Sequence, residues 1–142
     1  AYGSIYGGTQ NAAEILAVKL ADKGVTNLAV YDVACIHPSY LVSEAFRCSH
    51  LVFASSTYNN GIFTNMETLL LDLKAHALKN RTAALMENGS WAPQSGKLMR
   101  ELLSSMPGIT LLEETVSLRS TVKPDNLTEI DALASALAAD LQ

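Results

Sequence analysis

Three short stretches of this sequence carry residue types that suit ligand binding. The first is Ser4-Ile5-Tyr6-Gly7-Gly8-Thr9, with three hydroxyls, two glycines and no charge, directly ahead of a segment of helical periodicity. A helix N-terminus offers unpaired N–H groups and roughly half a positive charge, enough to hold a phosphate without Lys or Arg. Gly7 and Gly8 permit close backbone approach, and Ser4 and Thr9 can donate hydroxyl hydrogen bonds. The same residues also suit an ordinary helix cap with Thr9 as the N-cap residue. The second stretch is Ser55-Ser56-Thr57-Tyr58-Asn59-Asn60-Gly61, an aromatic flanked by Thr, Asn and Gly just past an apolar run. It suits a flat heteroaromatic ring, with Tyr58 stacked on it and backbone amides reaching its polar edge, and it equally suits a surface turn. The third, Asn88-Gly89-Ser90-Trp91-Ala92-Pro93-Gln94-Ser95-Gly96, brackets the single Trp with loop-forming residues, so Trp91 reads as a ring contact rather than as core.

Several chemistries are excluded by what is missing. No GK[ST] follows Gly8, so the first stretch is not a Walker loop, and the GxGxxG of dinucleotide binders is absent. A phosphoacceptor domain would need acids at the end of the first strand and an Asp at the end of the third, where Tyr2 and Ser55 stand. No Ser is matched with His and Asp, and His37, His50 and His76 form no HxxH or HExxH, so neither a catalytic residue nor a metal ligand is expected. Cys35 and Cys48 form no CxxC and read as free, partly buried thiols, with a disulfide left open by sequence.

The elements that must position these stretches alternate between short apolar runs and helical periodicity. Asn11 to Lys23 places Ala12, Ile15, Leu16 and Leu20 on one face, with Gly24 as the stop. Strands are expected at 27–33, 50–55, 82–87 and 110–118, and helices near 40–47, 64–77, 95–106 and after Pro124. The run 50–55 lacks polar alternation, as a strand covered on both faces should. Repeated β-α units call for a parallel sheet with helices on both faces, and ligands then bind beyond the carboxyl ends of the strands. All three stretches fall at that end. Ala1-Tyr2 reads as the tail of a first strand that lies largely upstream of residue 1, ahead of a single domain over residues 1–142. With 142 residues, 49% hydrophobic and 17% charged, the chain can fill one core. A net charge of −4 without basic runs argues against nucleic-acid or membrane partners, and the cytoplasm is the expected compartment.

Together the three loops resemble the flavodoxin family in its short-chain form. The match is most similar to the flavodoxin domain of flavodiiron (A-type) flavoproteins, and 55–63 (SSTYNNGIF) is its most specific piece. The resemblance implies a three-layer α/β/α sandwich around a five-stranded parallel sheet of order 2-1-3-4-5, with FMN as cofactor. It places the FMN phosphate on Ser4, Tyr6, Gly7, Gly8 and Thr9. One side of the ring falls to Ser56, Thr57, Tyr58, Asn59, Asn60 and Gly61, the other to Asn88, Gly89, Ser90 and Trp91. The implied function is electron transfer, as the flavodoxin module of a larger oxygen or nitric oxide reductase, with no substrate chemistry of its own. A redox partner protein or a fused diiron domain would be its partner, within a homodimer of the parent protein. A free-standing flavodoxin carrier and a flavodoxin-like module without FMN are the alternatives. A carboxylate beside the ring would lower its potential; Glu87 is the candidate, against a plain solvated strand-end acid.

Overall fold

The computed structural model describes residues 1–5, 7–89 and 93–141. The two apolar runs without alternation form the middle of the sheet. β2 (His50–Tyr58) and β4 (Arg81–Asn88) lie side by side in parallel, with His50 opposite Thr82 and Ser56 opposite Asn88. β1 (Tyr2–Gly3) pairs with the other edge of β2, and β5 (Ile109–Leu118) with the outer edge of β4, both in parallel. Five helices connect these strands among the described residues: α1 (Gly8–Asp22), α2 (Pro38–Arg47), α3 (Thr64–Ala75), α4 (Ser95–Ser104) and α5 (Pro124–Asp140).

Alternate residues of each central strand enter opposite cores, which is why neither strand shows polar alternation. Phe53, Ala83 and Leu85 pack with Leu41 of α2, Leu70 of α3 and Met99 of α4. Ala54, Ala84 and Met86 pack with Leu16 of α1 and with Ile130 and Leu133 of α5. The three layers expected from the β-α repeat are therefore present.

The expected strand at 27–33 is reduced to a single bridge. Tyr2 N–H donates to the Tyr31 carbonyl at 2.9 Å and Val33 N–H to the Tyr2 carbonyl at 3.0 Å. Among the described residues it pairs only with the two-residue β1. Counting this segment as the second strand, the order is 2-1-3-4-5. An extra pairing appears at β3 (Gly61–Ile62), which folds back antiparallel onto Thr57 and Tyr58 of β2.

Helix ends follow local chemistry. Gly24, at φ +93°, stops α1, and Val25 N–H reaches back to the Leu20 carbonyl at 3.1 Å. α3 stops at Ala75, two residues before the periodicity suggests, because Ala77 takes φ +57° and Leu78 N–H bonds to the Leu73 carbonyl at 3.1 Å. Leu78 is thereby buried against the α3 core. β5 carries a bulge: Ala83 faces Leu111 but Leu85 faces Thr115, so Glu113 and Glu114 fall in the extra length, exposed on the outer strand. Cys35 is exposed, Cys48 half-buried, and both thiols are free.

Beside α2, Glu44 accepts two bonds from Arg47, Nε at 2.7 Å and Nη2 at 3.0 Å, and a short bond from the Tyr31 hydroxyl. The Arg47 guanidinium, then the Tyr31 hydroxyl, hold the Glu44 carboxyl down at about 2. A carboxyl held below its ordinary range stabilises the fold above that range, and the benefit is lost as pH falls toward 2. Wild type is therefore expected to lose stability between about pH 4.5 and 2 more steeply than Glu44→Gln, as denaturant midpoints across that window would show. Leu133 is fully buried between α5 and the sheet, and Leu133→Ala should cost about 2–5 kcal/mol in urea unfolding through the cavity it leaves.

Candidate functional site

The three stretches meet at the carboxyl ends of β1, β2 and β4. A fourth segment, 119–123 after β5, joins them.

At the first, Gly7 takes φ +87° and precedes α1, with no acidic residue in the first turn. A side chain here would be strained, but the space around it is open. Gly7 N–H donates to Ser4 Oγ at 3.0 Å, which closes the loop on itself. Asn11 N–H is the first to find an intrahelical carbonyl, that of Gly7 at 2.9 Å. The amides of the first turn point past Gly7 with the helix dipole behind them. The cap residue is thus Gly7 and not Thr9. Thr9 is fully buried, its hydroxyl 2.8 Å from Ser56 Oγ and 3.3 Å from Asn88 Nδ2. Tyr6 lies outside the described residues.

Asn88 is the hub beneath this loop. Its Nδ2 also donates to the Ser120 carbonyl at 2.9 Å, and its Oδ1 accepts from Ser120 N–H at 2.8 Å. Ser120 sits at φ +72° and crosses directly over Gly8, where a Cβ would stand 1.9 Å from the Ser120 carbonyl oxygen. Gly8 is therefore required by this crossing. The sequence reading did not single out Ser120; the only signal for it is the polar run between β5 and Pro124.

In the second stretch, β2 continues to Tyr58 and turns through Asn59 (φ +48°) and Asn60 (φ +62°) into β3. Positive φ at both central residues is what a two-residue hairpin of matching twist demands, and Asn tolerates it. The turn lifts Tyr58, 51% exposed, above the sheet end with Asn59 and Asn60 beside it. Thr57 is turned the other way. Its Oγ1 accepts from Gln94 N–H at 3.1 Å and Ser95 N–H at 3.3 Å, so a β2 hydroxyl caps α4 from another strand. Ser95 Oγ returns a bond to the Ser55 carbonyl at 2.9 Å.

The third stretch leaves β4 at Asn88 and Gly89. A Cβ on Gly89 would meet Pro93 Cα at 2.8 Å and Thr57 Oγ1 at 3.1 Å, so glycine lets the loop close against β2. Ser90 and Trp91 lie outside the described residues. Glu87 turns away from the loop: Gly96 N–H donates to its Oε2 at 3.0 Å and Ser117 Oγ to its Oε1 at 3.2 Å. It serves the start of α4 rather than standing as a free solvated acid.

Among the described residues, no buried side-chain polar atom of this region is left without a partner. The rim is uncharged except for Arg119 and Lys123 on the fourth segment, where Lys123 Nζ donates to the Arg119 carbonyl at 3.1 Å. The arrangement can hold an anion on backbone amides and a flat ring against Tyr58. Among the described residues it presents no paired acid and base.

Sheet order, helix layers and loop placement together define a flavodoxin fold. Over 99% of its length the chain superposes on rubredoxin oxygen:oxidoreductase of Desulfovibrio gigas with a TM-score of 0.91 at 24% identity, covering 34% of that chain. The curated rubredoxin-oxygen oxidoreductase of Megalodesulfovibrio gigas is 25% identical over 141 residues, which is 99% of this chain and 35% of that protein. An archaeal flavodoxin matches 98% of this chain and 94% of its own with a TM-score of 0.84 at 20% identity. No family model matches. The chain thus spans about a third of the curated relative it matches.

Asn88→Ala strands the Thr9 and Ser120 groups and should destabilise the domain by about 1–3 kcal/mol, measured by urea unfolding. Thr57→Val removes the α4 cap and a 3.4 Å bond to Ser95 Oγ, and should cost about 1 kcal/mol.

Proposed function

We propose that this chain binds FMN and transfers electrons, as the flavodoxin module of a larger flavodiiron-type oxygen or nitric oxide reductase. The observation that carries this reading is the meeting, at one rim, of an uncharged helix start behind a left-handed glycine with an exposed aromatic hairpin. That pairing suits a monophosphate joined to a flat ring. The extent of the match to rubredoxin-oxygen oxidoreductase, nearly all of this chain and about a third of that one, supports a module within a longer protein.

In this reading Ser4, Tyr6, Gly7 and Gly8 hold the phosphate through hydroxyls and first-turn amides. Thr9, Ser56 and Asn88 form the floor that fixes the loop's height. Tyr58, Asn59, Asn60 and Gly61 flank one side of the ring, and Gly89, Ser90 and Trp91 the other, with Thr57 holding the two loops together. The flavin supplies the redox chemistry when bound, and the protein supplies orientation and a low-charge surrounding. A redox partner protein or a fused diiron domain, within a homodimer of the parent protein in the cytoplasm, completes the proposal. The nearly full-length match to an archaeal flavodoxin favours a second reading, a free-standing carrier with the same cofactor.

Titration of the apo chain with FMN, followed by flavin fluorescence, should quench to one equivalent; no quenching rejects the cofactor. Gly7→Asp and Gly7→Asn place near-isosteric side chains at the open cap position, where the positive φ strains both alike. The Asp variant should bind FMN at least about tenfold more weakly than the Asn variant, because only it opposes a phosphate. Equal affinities would move the phosphate elsewhere.

A further inference from the structure

The sequence contains two Asn-Gly pairs, Asn60-Gly61 and Asn88-Gly89, and the fold treats them in opposite ways. This dipeptide is chemically labile. With no Cβ on the second residue, its backbone nitrogen can swing onto the asparagine Cγ. How readily it does so in a folded chain depends on how much structure must open first.

Asn88-Gly89 is locked. Asn88 is 7% exposed, and its carboxamide is held by Ser120 N–H, the Ser120 carbonyl and Thr9 Oγ1 at 2.8, 2.9 and 3.3 Å. Gly89 N–H, the group that would attack, donates to the Leu118 carbonyl at 3.1 Å. Asn88 also stands in register between Ser56 and Leu118. Bringing the Gly89 nitrogen onto its Cγ therefore means parting three strands.

Asn60-Gly61 has little to open. Tyr58, Asn59 and Asn60 are all exposed, and two rungs close the hairpin: Thr57 with Ile62, and Tyr58 with Gly61. Gly61 belongs to the end rung, the first to fray. Among the described residues, a Cβ on Gly61 would meet only the Tyr58 carbonyl oxygen, at 3.3 Å, so its peptide has room to turn.

We propose that Asn60 is a site of spontaneous deamidation, which converts a neutral hairpin tip into an acidic one. The Gly61 nitrogen loses its proton to water and bonds to Asn60 Cγ. The Cγ–Nδ2 bond breaks, and ammonia leaves with a proton taken from water, closing a succinimide. Water then opens one of the two ring C–N bonds, giving Asp or, with the chain rerouted through Cγ, isoaspartate. Water is the only co-reactant, and nothing is oxidised or reduced. Either product sets a carboxylate on the exposed tip. Its consequence for the cofactor rests on the reading proposed above: beside the ring, that charge opposes electron uptake and lowers the flavin's potential.

The test ages the folded chain in mildly alkaline buffer, beside a sample in urea, and maps both by peptide mass spectrometry with isoaspartate detection. Conversion at Asn60 should outpace that at Asn88 at least about tenfold in the folded chain, and urea should close the gap, because only folding distinguishes the two pairs. An intact Asn60 over the time in which the urea sample converts, or equal conversion of both pairs in the folded chain, overturns the proposal. FMN titration of the fresh chain separates the two readings. Conversion at Asn60 without FMN binding upholds the modification site and rejects the cofactor. With FMN bound, Asn60→Asp should have a lower midpoint potential than the fresh chain; equal potentials overturn the effect on the ring.

Discussion

Everything at the working end of this fold depends on satisfying one buried carboxamide. Asn88 sits at the end of a central strand, where its donor and acceptor cannot be left bare without a penalty of about 1–3 kcal/mol. It meets this by gripping Ser120 in both directions and touching Thr9, which in turn touches Ser56. Those four residues come from the first helix, two strands and the last crossover. Their bonds set the height of the glycine loop, and Gly8 is glycine because that grip draws the Ser120 carbonyl over it.

A second set of bonds works alongside. Thr57 and Ser95 tie the β2 hairpin to the start of α4, and Glu87 secures the same helix from beneath. The rim is thus supported by hydroxyls and amides rather than by ion pairs. Beside the α1 N-terminus, where the helix dipole acts, the full charges on the crossing segment are Arg119 and Lys123, both basic.

Much of this was legible from sequence. The helical stripes of α3, α4 and α5 and the unalternating runs of β2 and β4 announce their positions because each depends on its own residues. The three rim loops were legible for the same reason: Gly, Asn and hydroxyl residues cluster after strands. What escaped were relations across the chain. Thr57 is legible as a residue of the rim, but not the bond its oxygen accepts from the start of α4, 37 residues later. The bond that Glu87 accepts from Gly96 N–H is equally invisible in the sequence. The segment 27–33 has strand composition, but pairing depends on how much neighbour lies across from it, which composition does not contain.

The bulge in β5 has a consequence for assembly. β5 is an outer strand, and a flat outer strand invites another sheet to extend it. Here the extra length around Glu113 and Glu114 breaks the spacing of the ladder and sets two carboxylates on the exposed border. A second copy approaching that border in antiparallel fashion would bring like charges together and find donors out of step. Sheet-to-sheet growth is thereby disfavoured on that flank.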